Sequence, residues 1–178
     1  MRDIFLLLGS NRGDRQSLLT QALALIATQA GPILQASSVH ETPPWGFTDP
    51  VPFLNQAIEI ETILPPEKLL ETILHIESTL GRIRPANNFQ NPHRISPNDN
   101  DTPNYTARTM DIDLLFYGNN RIHTHTLWVP HPRLHQRLFA LGPLAEIAPG
   151  FVHPVLKKTV RELLNEIYTE YPPHPPST

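Results

Sequence analysis

Two aspartates separated by one residue, Asp111 and Asp113, lie within a largely apolar run over residues 110–117. Side chains alternate between the two faces of a strand, so both carboxylates project from one face. Like charges at this spacing repel each other, and a bound cation would remove that cost. Oxygen ligands suit Mg²⁺, which typically takes one or two carboxylates together with substrate phosphates and water. The pattern therefore predicts a magnesium site, and the alternative is a solvent-facing strand with two ordinary acids. The side chains expected on the opposite, buried face are Ile112, Leu114 and Phe116.

Arginines are concentrated in the same part of the chain. Seven of the fourteen basic residues lie between Arg82 and Arg137, and all seven are arginines. A guanidinium group offers paired donors that match phosphate oxygens. The net charge of −3 excludes the general electrostatic footprint of a nucleic-acid-binding protein. The cluster indicates a small phosphorylated ligand, with ordinary surface arginines as the alternative. Together with the aspartates and a histidine, it supplies the groups that phosphoryl transfer requires.

Glu77 is predicted to lie beside the apolar stripe of a helix that ends just before Gly81. A carboxylate near a helix C-terminus is unfavourable with the helix dipole unless something compensates for it. We expect Glu77 to position an arginine or a ligand group, and a salt bridge at the helix flank is equally consistent.

The order of predicted elements is β-α-β-β-α-β. The strands are expected at 4–8, 33–42, 53–62 and 110–117. Asp14 is expected to cap the first helix, and Pro65-Pro66 to open the second. This order predicts an α+β, ferredoxin-like core, in which helices cover one face of an antiparallel sheet. Additional C-terminal elements follow: an extended piece at 121–129 and helices at 134–141 and 160–168.

The chain length favours a single domain, expected to span residues 1–170. Residues 85–107 hold six asparagines and four prolines without apolar periodicity, which predicts a long loop that is either functional or disordered. Residues 171–178 are expected to form a disordered tail. The chain has no cysteine, which excludes disulfides and thiolate metal sites, and its apolar runs are too short to cross a membrane. We expect a cytoplasmic monomer that binds neither nucleic acid nor membrane.

Six short blocks occur in a fixed order along the chain. They are Leu8-Gly9-Ser10-Asn11, Glu41-Thr42-Pro43-Pro44 with Gly46, Phe53-Leu54-Asn55, Ile76-Glu77 with Gly81-Arg82-Ile83-Arg84, Arg108-Thr109-Met110-Asp111-Ile112-Asp113, and Pro130-His131-Pro132-Arg133-Leu134 with Arg137 and Phe139. These blocks resemble the hydroxymethyldihydropterin pyrophosphokinase family over residues 3–154. The resemblance implies transfer of the pyrophosphate of ATP to 6-hydroxymethyl-7,8-dihydropterin in folate biosynthesis, with AMP as the second product.

The resemblance also implies a role for each matching residue. Two Mg²⁺ ions would be held by Asp111 and Asp113. The residues expected to bind ATP are Glu77, Arg82, Arg84, Arg108, Leu114, Val129, His131 and Arg137. The residues expected to bind the pterin are Thr42, Pro44, Trp45, Phe53, Asn55 and Phe139. The catalytic residues would be Arg82, Arg84, Arg108 and Asp113, and Asp113 is also a candidate general base.

Two departures from the family and two rival functions accompany this interpretation. Trp45 stands where the family commonly has a smaller apolar residue, and the loop at 85–107 is longer than usual. Because the resemblance places Arg84 and Arg108, on either side of this loop, at the phosphates, we expect an active-site loop that orders when substrates bind. The alternative is an insertion that stays disordered throughout. A non-catalytic small-ligand sensor could share the fold, and an ordinary γ-phosphate kinase would yield ADP. If the two aspartates only repel each other without metal, replacing either one should leave thermal stability unchanged or raise it.

Overall fold

The computed structural model describes residues 3–46, 48–83 and 108–170. The predictions of an active-site loop at 85–107 and of a disordered tail at 171–178 lie outside the described residues.

A single antiparallel sheet forms the framework of the described chain. Its strands are β1 (Ile4–Ser10), β2 (Ile33–Ala36), β3 (His40–Thr42), β4 (Phe53–Ile60) and β5 (Asp111–Tyr117). The strand order is β2-β4-β1-β5, and β3 also pairs with β4. Every pairing in the sheet is antiparallel. This is the strand order of a ferredoxin-like fold, which confirms the predicted α+β class.

Helices cover both faces of the sheet. They are α1 (Arg15–Gln29), α2 (Pro66–Thr79), α3 (Leu138–Ile147) and α4 (Val160–Glu170). Asp14 caps α1 as predicted, because its carboxylate accepts a hydrogen bond of 3.1 Å from the backbone N–H of Ser17. Pro66 begins α2, where its lack of an N–H has no cost. Gly31 follows α1 with a φ of +140°, and a Cβ there would lie 2.0 Å from the carbonyl oxygen of Glu61.

Each face of the sheet has its own apolar core. One core joins α1 and α2 to the sheet, and includes Leu6, Leu8, Ile26, Ile58, Ile73 and Leu114. The other joins α3 and α4 to the opposite face, and includes Phe5, Leu7, Phe116, Leu141, Leu144 and Leu163. The predicted helices on one face are therefore α1 and α2, and the C-terminal helices add a second layer.

A β-bulge corrects one detail of the predicted fourth strand. Phe5 pairs with Phe116 but Leu6 pairs with Leu114, so Leu115 is an extra residue in β5. The bulge turns Phe116 toward the α3 and α4 core, where it packs with Phe5. The prediction that Phe116 shares a face with Ile112 and Leu114 was wrong for this reason.

The predicted strand at 33–42 is two strands, because Ser37 interrupts it. The Ser37 hydroxyl accepts a 3.0 Å hydrogen bond from the backbone N–H of Ala57, in the place of a backbone carbonyl. The chain then leaves the ladder before β3 begins.

The C-terminal elements differ in their bounds from the prediction. The extended piece is a two-stranded hairpin of β6 (Ile122–His123) and β7 (Trp128–Val129). The predicted helix at 134–141 begins as a 3-10 helix, Leu134–Gln136, and continues into α3 after Arg137. Over the described ranges, none of the helices has the length and apolar character needed to cross a membrane.

Candidate active site

One end of the sheet brings together residues from its three central strands. Gly9 on β1 is paired with Asn55 on β4 and with Asp111 on β5, so the three share a face. A Cβ at Gly9 would lie 3.0 Å from Oδ1 of Asn55 and 3.6 Å from Cδ1 of Phe53. Because Gly9 has no side chain, Asn55 and Phe53 can lean over the central strand. This row is the floor of the candidate site.

Arginines surround the first aspartate of the predicted metal pair. One carboxylate oxygen of Asp111 accepts from Nη1 of Arg82, and the other accepts from Nη1 of Arg108. The side chain of Arg82 is 10% exposed, that of Asp111 is 18% exposed and that of Arg108 is 22% exposed. The structure therefore brings these three predicted site residues together at the start of β5, within reach of solvent. Arg84, also predicted to bind the phosphates, lies outside the described residues.

Glu77 supports Arg82 from the inside of the protein. Its carboxylate is completely buried, and Oε1 accepts from Nη1 of Arg82 at 2.6 Å and from the backbone N–H of Ile112 at 2.8 Å. These two donors compensate for the unfavourable end of the α2 dipole. Burial opposes the charge on Arg82, but Asp111 and Glu77 outweigh it and raise the pKa of Arg82 above its ordinary value. Arg82 is therefore a fixed cation at all relevant pH values.

A second cation–anion contact involves the other aspartate. Nη1 of Arg137 donates to Oδ2 of Asp113 at 3.2 Å and lies 3.3 Å from Nε2 of His131. His131 and Arg137 are 5% and 8% exposed. The backbone N–H of His131 donates to the carbonyl of Leu115 at 3.0 Å, which ties this segment to the bulge in β5. The segment after β7 is thus held against the strand that carries both aspartates.

Arg133 and Arg137 are four residues apart but do not share a helix face. The two residues flank the short 3-10 helix, and Arg137 has extended backbone angles. Its conformation directs Arg137, rather than Arg133, toward Asp113.

Ion pairing changes the expected energetics of the aspartates. Arg82, Arg108 and Arg137 contact them directly, so Asp111 and Asp113 do not simply repel each other. Removing a carboxylate would leave partly buried guanidinium groups close together with less negative charge. The premise that the two carboxylates only repel each other is therefore wrong, and we now expect such a replacement to lower stability.

The carboxylates also fit the predicted magnesium chemistry. In the three described ranges no group of three or more histidine and acidic side chains could hold a metal. Asp111 and Asp113 are nevertheless oxygen donors on neighbouring positions of one strand face, each with an 18% exposed side chain. Mg²⁺ commonly takes only one or two protein carboxylates and completes its shell with phosphates and water. The donor set suits such an ion.

Aromatic and amide groups form the other side of the site. The ring centres of Trp45 and Phe139 are 6.1 Å apart, with 54° between the ring planes. Nδ2 of Asn55 donates to the Thr42 hydroxyl at 2.7 Å, and Asn55 is only 2% exposed. The hydrogen bond and the burial together fix the orientation of the amide. Phe53 remains partly exposed above this pair. Pro44, the other predicted pterin residue, is half-buried in the segment between β3 and Trp45.

Two buried residues of the site were not assigned a role from the sequence. Oδ1 of Asn11 accepts from the backbone N–H of Arg108 at 2.7 Å, and the Asn11 N–H donates to the Arg108 carbonyl at 3.1 Å. The hydroxyl of Ser10 donates to the carbonyl of Thr109 at 2.6 Å. Ser10 and Asn11 thus position the backbone of Arg108 from the end of β1. Polar residues directly after a buried strand were the available sequence signal for this role.

A pocket of about 270 Å³ opens beside His131. Its lining includes Val129 and Trp128 from β7 together with His131. Leu114 does not line it, because this residue is completely buried in the α1 and α2 core. Of the two apolar residues expected to bind ATP, Val129 therefore lines this pocket and Leu114 does not.

Comparison with known proteins identifies relatives over most of the chain. A family model described as 7,8-dihydro-6-hydroxymethylpterin-pyrophosphokinase (HPPK) matches residues 5–149. A 2-amino-4-hydroxy-6-hydroxymethyldihydropteridine pyrophosphokinase of Bacillus subtilis is 43% identical over 144 residues, which are 80% of this chain and 76% of the relative. A protein of the same name from Methylorubrum extorquens is 39% identical over 168 residues, which are 94% of each chain.

Solved structures share the fold. The chain matches a structure titled HPPK-DHPS in complex with substrates with a TM-score of 0.72 and 15% identity, over 96% of this chain. A Plasmodium falciparum HPPK-DHPS triple mutant gives a TM-score of 0.72 with 17% identity, also over 96% of this chain. The chain spans 44% of the length of each of these two structures.

Proposed function

Since the chain belongs to the 7,8-dihydro-6-hydroxymethylpterin-pyrophosphokinase family, we propose that the site on the sheet floor carries out the family's reaction. The protein is an ATP-dependent enzyme that transfers diphosphate to 6-hydroxymethyl-7,8-dihydropterin in folate synthesis. One observation carries the assignment of the site. Asp111, which two arginines contact, lies on the same face of the sheet as Asn55, so the proposed phosphate-binding and pterin-binding groups are side by side.

The cationic side of the site binds the triphosphate. Arg82 and Arg108 converge on one carboxylate, and Arg137 lies on the next aspartate along β5 with His131 beside it. Guanidinium groups form charge-assisted pairs of hydrogen bonds with phosphate oxygens. Arg84 belongs to this set on the strength of the family resemblance. Glu77 is fully buried, so it acts by positioning Arg82.

Magnesium enters the proposal through the two aspartates. Asp111 and Asp113 would hold the ions while the arginines pair with the phosphates. When bound, Mg²⁺ neutralises charge on the phosphate oxygens and orients them for in-line displacement.

The pterin binds on the opposite side of the row. Phe139 and Phe53 provide apolar faces for the flat ring, and the Asn55 amide, oriented by Thr42, meets its polar edge. Pro44 and Trp45 close the rim of this site. For the nucleotide base, the pocket lined by Val129 and Trp128 is the best-supported location.

The chemical step is an in-line displacement at the β-phosphorus. The pterin hydroxymethyl oxygen forms the new bond to phosphorus, and the bond from phosphorus to the α,β-bridging oxygen breaks. AMP leaves with that bridging oxygen, and the hydroxyl proton passes to Asp113. Arg82, Arg84 and Arg108 stabilise the charge that develops on the phosphates.

The remaining parts of the prediction belong to the same proposal. Residues 1–170 act as one pyrophosphokinase domain. The enzyme acts as a monomer in the cytoplasm and binds neither nucleic acid nor membrane. Its use of ATP, an abundant cytoplasmic nucleotide, supports that location.

Product analysis tests the proposal directly. The purified protein is incubated with ATP, Mg²⁺ and 6-hydroxymethyl-7,8-dihydropterin, and nucleotides are separated by chromatography. We expect AMP and the pterin pyrophosphate ester in equal amounts, and none after addition of EDTA. ADP as the only nucleotide product would indicate a γ-phosphate kinase, and binding of the pterin without any turnover would indicate a sensor.

A further inference from the structure

A carboxylate far from the phosphates joins two elements that carry proposed pterin contacts. Glu146 lies in α3, and its Oε2 accepts from the backbone N–H of Ser38 at 2.8 Å. Its Oε1 accepts from the Ser38 hydroxyl at 2.8 Å and lies 2.5 Å from Nε2 of His40. A carboxylate can only accept, so Nε2 of His40 carries the hydrogen. We call these three residues, Ser38, His40 and Glu146, the β3–α3 clamp.

The charge on Glu146 is well satisfied in the clamp. Hydrogen bonds from the Ser38 backbone, from the Ser38 hydroxyl and from His40 lower the pKa of Glu146 below its ordinary value. The His40 ring also packs closely on α3, because a Cβ at Gly142 would lie 3.7 Å from Cε1 and Nδ1 of that ring. The clamp therefore combines hydrogen bonds with direct packing between the two elements.

The clamp connects the two walls of the proposed pterin site. β3 is only three residues long, with His40 at one end and Thr42 at the other. Thr42 orients Asn55 through a 2.7 Å hydrogen bond. On the other side, α3 carries Phe139 in its first turn and Glu146 near its end. One wall thus provides the amide that meets the pterin edge, and the other provides the aromatic face.

Resting on the proposed function, we propose that Ser38, His40 and Glu146 are positioning residues for the pterin. They fix the distance between the Thr42–Asn55 pair and the Phe139 ring without touching the substrate. A rigid flat ring binds well only when both walls are held at the correct separation, so support for the walls acts on pterin affinity. The phosphate side of the site, with Arg82 and Asp111, is outside the clamp.

Steady-state kinetics with two variants test the clamp. Glu146→Ala removes all three hydrogen bonds of the clamp, and His40→Leu removes the one that His40 makes to Glu146. We expect the KM for the pterin to rise about tenfold, within the range that a positional error of about 1 Å produces. The KM for ATP and kcat should be unchanged, since interactions made equally in ground and transition states affect KM alone. His40→Gln retains an N–H donor at this position and should restore most of the pterin affinity.

A double variant and a matched control complete the test. Glu146→Ala combined with His40→Leu should be no worse than Glu146→Ala alone, because that variant already removes the hydrogen-bond partner of His40. Glu166→Ala serves as the control, since Glu166 on α4 forms a 2.5 Å ion pair with Lys158 and is exposed to a similar extent as Glu146. Its kinetics should match those of the wild type.

Three outcomes would overturn the clamp. The pterin KM could be unchanged in Glu146→Ala and His40→Leu while the wild type turns over normally. The KM values for ATP and pterin could rise together with a fall in melting temperature, which would indicate a structural role only. A wild-type protein that forms no AMP would overturn the proposed function, and the clamp's role with it.

Discussion

The guanidinium carbon of Arg137 lies 5.4 Å from the centre of the Trp45 ring. The same carbon is 5.5 Å from the centre of the Phe139 ring, so the cation contacts two aromatic residues of the proposed pterin site. Arg137 also donates to Asp113 on the phosphate side. One side chain therefore touches both halves of the site.

Trp45 should report the movement of Arg137 when nucleotide binds. The protein has two tryptophans, so Trp128→Phe leaves Trp45 as the only tryptophan probe. A cation over an indole ring is attracted by about 0.5–2 kcal/mol, and pairing of Arg137 with phosphates would weaken that contact. We expect Trp45 emission to change on addition of a non-hydrolysable ATP analogue with Mg²⁺. The matching Arg137→Gln variant should show little change, and an identical response in both proteins would contradict the prediction.

The aspartate at the centre of the arginine cluster should matter for both activity and stability. Asp111→Asn removes the charge that Arg82 and Arg108 share. Turnover should fall by about 10²-fold or more, as for loss of an electrostatic stabiliser. The free energy of unfolding should fall by about 1–3 kcal/mol, because partly buried donors lose their anionic partner. Urea denaturation measures the second effect. If Asp111→Asn were more stable than the wild type, repulsion between the two carboxylates would outweigh their pairing with the arginines.

Much of the site could be predicted from local sequence patterns. Strand alternation predicted that Asp111 and Asp113 lie on one face of β5. The structure confirms this, because Ile112 between them packs into the α1 and α2 core on the other face. Asp14 was recognised as a helix cap because its partner lies three residues away. These features depend on neighbours in the sequence, so the chain alone contains the information.

The features that escaped prediction depend on tertiary contacts. The bulge at Leu115 follows from how β5 pairs with β1, and alternation within one strand cannot reveal it. Asn11, which is distant in sequence, holds the backbone of Arg108 beside Asp111. The pairing of Arg108 with Asp111 therefore depends on a contact that local sequence does not show. Asp111 was therefore interpreted as an unpaired anion, although tertiary structure supplies its cations.

A substitution at Gly9 tests the floor of the candidate site without removing any side chain that is proposed to bind a substrate. In Gly9→Ala the new Cβ would lie 3.0 Å from Oδ1 of Asn55, which is closer than an ordinary contact. Asn55 must shift by a few tenths of an ångström, and its bond to Thr42 would be disturbed. We expect weaker pterin binding in calorimetry with nearly unchanged ATP binding. Gly150→Ala is the control, because a Cβ there meets nothing within 4 Å. Equal loss of both ligands would contradict the prediction.

The last prediction concerns His153, a buried histidine beneath the C-terminal layer. It is 5% exposed, its ring meets the Phe116 ring edge-on at 5.4 Å, and Nδ1 accepts from the backbone N–H groups of Val155 and Leu156 at 3.2 and 3.1 Å. Burial, and then the nearby His135, lower the pKa of His153 from 6.5 to about 4. Folding therefore keeps this side chain neutral at a pH where the unfolded chain would protonate it.

The sign of the pH effect follows from proton binding. Between the two pKa values, 6.5 and about 4, the unfolded state binds the extra proton. The stability that neutral His153 contributes is thus fully present above pH 6.5 and is lost as the pH falls through this window. The slope from this one group is at most about 1.4 kcal/mol per pH unit. Urea denaturation at several pH values between about 7 and 5 measures it.

His153→Phe cannot titrate at this position, so its stability should vary less with pH than that of the wild type. Near neutrality the variant should be less stable by about 1 kcal/mol, because the two hydrogen bonds to Nδ1 are lost. Replacement of the exposed His125 by Gln should leave the wild-type slope unchanged. If His153→Phe retained the full wild-type slope, protonation of His153 would not be what destabilises the fold in acid.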